Sequence, residues 1–142
     1  MFGVNPTPSR ELLLRNGQRW LISSLPGPPS GDERWGACAI ISSRDLPLEV
    51  ATPAAQAAIE GRCPTVSVAA PNAEAVHDYI DEILEKAGAY DVSTDFLSGP
   101  DAVQELIGLF DTGMVSNGRV FVYSDDPELV ERELRLSGLL GS

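Results

Sequence analysis

Between Asn72 and Ala87 the apolar residues recur at three- and four-residue steps: Val76, Tyr79, Ile80, Ile83, Leu84 and Ala87. That spacing lines them along one stripe of an α-helix. Asn72 suits the N-cap, Glu74 in the first turn offsets the positive end of the helix dipole, and Gly88 can end the helix in the left-handed region. Directly before it, Thr65–Ala70 is a short run of β-branched and small residues that reads as a strand. A strand feeding a long amphipathic helix is the strongest structural statement in the chain.

Upstream, Glu11–Arg15 and Gln18–Leu25 flank Asn16-Gly17. Both turn residues tolerate the positive φ of a type I′ turn, so a β-hairpin is expected, with a helix over Arg10–Leu14 as the competing reading. Residues 1–9, with Pro6 and Pro8, read as an extended lead-in. Residues 26–34 are a Pro/Gly-rich loop, because prolines remove donors where regular structure needs them. Ala37-Cys38-Ala39-Ile40-Ile41 is a continuous apolar run, which suits a strand covered on both faces. Asp45–Val50 reads as a turn into a short edge segment. Thr52-Pro53 then opens an alanine-rich helix that reaches Glu60 and stops at Gly61.

Downstream, Tyr90–Phe96 alternates as a half-buried strand. Ser98-Gly99-Pro100-Asp101 starts a second amphipathic helix, with Val103, Leu106, Ile107 and Phe110 as its stripe and Gly113 as its end. Ser116-Asn117-Gly118 lies between Met114-Val115 and Arg119–Tyr123 and reads as a hairpin-type turn. Asp126-Pro127-Glu128 has the cap, first-turn proline and first-turn acid of a helix start, and that helix runs to about Leu136. Leu139–Ser142 is a tail that docks or frays. Strands grouped early and helices interleaved later predict a single α+β domain. It would have a mixed or mainly antiparallel sheet and about four helices, most of them on one face.

Composition narrows the class without changing this picture. The 142 residues can bury roughly two-thirds of their unfolded surface, so no metal or disulfide staple is needed. No apolar run is long enough to span a membrane, and the first ten residues lack the apolar core of a secretory signal. Cys38 and Cys63 are too few and too far apart for a disulfide scaffold. They read as reduced, buried thiols of a cytoplasmic protein.

Charge changes the picture more. The net charge is −11, and all of it lies in the second half. Up to Pro71, six arginines match six carboxylates; from Asn72 onward, four basic residues face fifteen acidic ones. Such a field repels nucleic acid and anionic membranes and attracts basic partners.

Motifs for chemistry are sparse. The only histidine, His77, has Asp81 one turn later, but no nucleophile stands at a readable spacing. One histidine and two distant cysteines make no zinc pattern, and Asp91–Asp95 lacks the glycine and closing glutamate of a calcium loop. No glycine-rich phosphate loop is present. No metal or cofactor is therefore expected.

What remains is the polar face of the long helix, which carries Glu74, Asp78, Asp81, Glu82 and Glu85. Glu74–Asp78, Asp78–Glu82 and Asp81–Glu85 are like-charge pairs four residues apart, and only Glu82–Lys86 opposes them. A face that slightly weakens its own helix suggests use in a bound state. The expectation is a small acidic, non-enzymatic inhibitor of the immunity or antitoxin type that occludes a basic toxin or nuclease. Asp78, Asp81, Glu82 and Glu85 would make the contact, with Asp125 and Asp126 as outer candidates. One alternative is a small-molecule-binding or regulatory module, its pocket built from the Pro26–Asp32 loop with Trp20, Trp35, Tyr90 and Tyr123. The other is an enzyme pairing Cys38 or Cys63 with His77.

Overall fold

The computed structural model describes residues 9–29, 31–113 and 115–141. Nearly all of the lead-in, Met114 of the expected hairpin and Ser142 lie outside them. The elements run β1 (Ser9–Leu13), β2 (Arg19–Ser23), β3 (Ala37–Ile41), a 3-10 turn (Leu48–Ala51), α1 (Thr52–Ile59), β4 (Thr65–Ala69), α2 (Ala73–Lys86), β5 (Ser93–Leu97), α3 (Ala102–Asp111), β6 (Arg119–Ser124) and α4 (Pro127–Leu136). One mixed sheet joins the strands in the order β1-β2-β6-β3-β4-β5. Only β1 is antiparallel to its neighbour. The α+β architecture with four helices is the one expected.

The division of the helices differs from the expectation. Cys38, Ile40, Val66, Val68, Phe121 and Tyr123 pack with α1 and α2 on one face. Trp20, Ile22, Ala39, Ile41, Val120 and Val122 pack with α3 and α4 on the other. Two helices therefore cover each face. Parallel strands are linked by crossovers and need cover on both sides, which is why every residue of β3 and β4 is buried.

Three local expectations change as well. Asn117-Gly118 does not turn a hairpin, since β6 inserts between β2 and β3 and runs parallel to both. Asp45–Val50 leads into the 3-10 turn rather than an edge segment. Asn16-Gly17 does join β1 to β2, which excludes the helix over Arg10–Leu14. The tight turn, however, spans Leu14–Gly17, closed by the Gly17 N–H on the Leu14 carbonyl, with φ 91° at Gly17. The tail docks: the Leu139 carbonyl accepts the Arg15 N–H at 2.8 Å, and Leu139 and Leu140 pack against the α3–α4 core.

α2 lies over β4 and β5 at the far edge of the sheet from the hairpin. Val76, Ile80 and Leu84 anchor it. Asn72 stands at its N-cap as expected, but its side chain does not cap. It clasps Leu46 instead, accepting that residue's N–H and donating to its carbonyl, each at 2.9 Å.

Candidate functional site

Burial of Val76, Ile80 and Leu84 turns the opposite side of α2 outward. Glu74, Asp78, Glu82 and Glu85 are exposed, and Asp81 is half-buried. Lys86 meets Glu82 at 3.0 Å, and among the described residues Glu74 and Glu85 have no cationic partner. Glu74, Asp78, Asp81 and Glu85 follow one another at four-, three- and four-residue steps, so they share a stripe. Asp81 fixes where that stripe lies: it accepts the Thr94 hydroxyl of β5 at 2.7 Å. The stripe therefore runs beside the outer edge of the sheet.

His77 packs into the same seam. Its Nε2 is 3.1 Å from Thr94 Oγ1 and its ring lies 4.9 Å from that of Phe96. Thr94 has one hydroxyl proton and gives it to Asp81, so His77 donates through Nε2–H. Donor atoms of His77, Asp78 and Asp81 lie within 4.8 Å of one another, close enough to share a divalent cation. Thr94 is a site residue that the sequence reading missed. Its only signal was strand alternation, which places Thr94 and Phe96 on the face that α2 covers.

Past the end of α2 the chain turns, leaving Tyr90 80 % exposed. A hollow of about 220 Å³ opens there, lined by Asp81, Leu84, Glu85, Ala89, Tyr90 and Val92. Its aliphatic floor suits the stem of a lysine or arginine, with two carboxylates in reach of the charged head.

Asp125 and Asp126 do not join this surface. They follow β6, three strands from β5, or about 14 Å at ordinary strand spacing. Asp125 accepts from Ser42 Oγ at 2.9 Å and from Arg44 at 3.2 Å, while Asp126 caps α4 by accepting the Leu129 N–H. Both hold the fold locally.

The aromatic pocket does not assemble either. Trp20 and Trp35 are buried on opposite faces of the sheet, edge-on to Phe110 and Phe121 respectively. A different cleft, about 400 Å³, opens at the carboxyl ends of β3, β4 and β5, where Ser42, Ala70, Ser98, Asp101, Gln104 and Glu133 line it.

The thiols do not pair with the histidine. Cys38 and Cys63 are buried, and His77 faces Thr94, Asp81 and Asp78 rather than sulfur. Hydrogen bonding to Cys63 and burial push the Cys38 thiol well above its usual range. A folded state that keeps this proton loses relative stability once the unfolded thiol ionises, above roughly pH 8.5. Urea midpoints should therefore fall as pH rises past that value. Ellman's reagent should find no fast thiol in the native protein and two after denaturation. A single fast native thiol would contradict this burial.

No protein-family model, curated protein or solved structure matches the chain. The functional reading rests on the side chains themselves.

Proposed function

We propose that the protein is a binding domain that occludes a basic surface of a partner protein through the outer side of α2 and the adjoining turn at Tyr90. An inhibitor of the immunity or antitoxin type, acting on a toxin or nuclease, fits this reading. The observation that carries it is the hollow beside the acidic stripe: carboxylates, an aliphatic floor and an exposed tyrosine converge where a basic side chain can anchor. Aromatic residues at the centre of charged surfaces commonly carry most of the binding energy. The surrounding carboxylates speed encounter, because an uncompensated negative field steers a positive partner.

The test is affinity capture from the host's extract at about 20 mM salt, followed by kinetics with the purified partner. Association should slow by an order of magnitude or more on going to about 0.5 M salt, where the Debye length falls to a few ångströms. Rates that stay flat across that range exclude steering by this face.

A second reading has one observation in its favour. The 400 Å³ cleft lies at the carboxyl ends of parallel strands, where open α/β sheets generally hold small ligands. A small molecule carried through purification and seen by native mass spectrometry would support it.

A further inference from the structure

β5 is the outer strand of the sheet and pairs only with β4. The Ser93 N–H bonds the Pro64 carbonyl, and the Leu97 carbonyl accepts the Ala70 N–H. In a parallel ladder, residues whose backbone faces one neighbour alternate with residues whose backbone faces the other way. Ser93, Asp95 and Leu97 thus face β4, and the N–H and C=O of Thr94 and Phe96 point outward. Among the described residues nothing bonds to those outward groups.

Exposed edges are commonly blunted by lysine, proline, a bulge or a covering loop. β5 carries no lysine or proline, and no element pairs beyond it. Its side chains point to a ligand instead. The ring of Phe96, 37 % exposed, stands on the α2 side with His77 against it. On the opposite face, Asp95 has a buried carboxylate oxygen with no donor. The stripe Glu74–Asp78–Asp81–Glu85 meets this edge at Asp81, which accepts the Thr94 hydroxyl.

We infer that an extended, lysine- or arginine-bearing segment of the partner adds to β5 as a seventh strand. This rests on the reading of α2 as a partner surface and specifies how the partner docks. Main-chain bonds to Thr94 and Phe96 supply affinity, and side chains on alternate faces supply selection. Basic side chains on the α2 face of the added strand meet the stripe. A second copy of this chain does not fit the edge, because it would bring the same stripe and a charge of −11 against itself.

The probe is an acetylated (Lys-Val)4 amide, with (Glu-Val)4 as control, titrated into the ¹⁵N-labelled full chain at low salt. The basic peptide should shift the Thr94 and Phe96 amides and slow their hydrogen exchange by about tenfold or more, and the acidic one should do neither. Phe96→Pro removes an outward N–H without touching the β4 ladder, and should weaken binding by about tenfold relative to Phe96→Ala, which keeps that N–H. The exchange measurement on the wild-type chain stands even where Phe96→Pro does not fold. Shifts confined to α2 overturn strand addition and leave the electrostatic reading standing. Shifts in neither element overturn both.

Discussion

Asp78→Lys combined with Glu85→Lys is expected to slow association with the partner by about a hundredfold while making the free protein slightly more stable. Both residues are exposed on the stripe beside β5, and Glu85 also lines the hollow at Tyr90. Exchanging two carboxylates for two ammonium groups moves the net charge from −11 to −7, with the whole change concentrated on one face. Steering contributes factors of roughly ten to a thousand to association, so reversing its local source should remove most of that gain. The stability effect has the opposite sign. Glu74–Asp78, Asp78–Glu82 and Asp81–Glu85 all become opposite-charge pairs at four-residue spacing, a combined gain of about 1 kcal/mol. Neither side chain contacts the core, so no packing is lost. Stopped-flow association and urea unfolding measure the two effects separately. A variant that is more stable yet binds at the wild-type rate would show that the stripe only keeps the protein soluble.

That separation exists because α2 was legible in the sequence on both sides. Its apolar spacing located the buried stripe, and the same period located the carboxylates opposite. The continuous run Ala37–Ile41 likewise announced a strand covered on both faces. The sequence did not show which strands meet. Asn117-Gly118 has the local chemistry of a hairpin, and its Asn117 side chain does accept the Arg119 N–H. The position of β6 is set by the crossover through α3, which no turn motif encodes.

The candidate site divides in the same way. The acidic stripe follows from spacing within one helix, but Thr94 reaches His77 and Asp81 across 17 and 13 residues, through strand pairing alone. Asn72 shows the limit within a single residue. Cap chemistry placed it correctly at the start of α2, yet its side chain is taken by Leu46, 26 residues upstream. Asp125 and Asp126 lie apart from the stripe because acidity says nothing about Ser42 and Arg44 arriving from another strand.

Phe110→Ala should cost about 3–5 kcal/mol, a large part of the roughly 5–15 kcal/mol that holds a domain of this kind folded. Phe110 is fully buried in the last turn of α3 and stands edge-on to Trp20, with centroids 5.9 Å apart. Its backbone is tied to the same place: Gln18 donates to the Phe110 carbonyl at 2.8 Å and accepts the Trp20 Nε1–H at 2.9 Å. The backbone so held cannot easily collapse into the space left by the ring, which favours the upper part of that range. A thermal midpoint about 10 °C or more lower is expected, with Trp20 emission shifted to the red. In a double-mutant cycle, Trp20→Leu should recover a coupling of about 0.5–1.5 kcal/mol with Phe110. α3 and α2 cover opposite faces of the sheet, so the fraction that remains folded should bind the partner with wild-type kinetics. Loss of binding in folded Phe110→Ala protein would show that binding also depends on the α3 face and would count against an interface confined to α2 and β5.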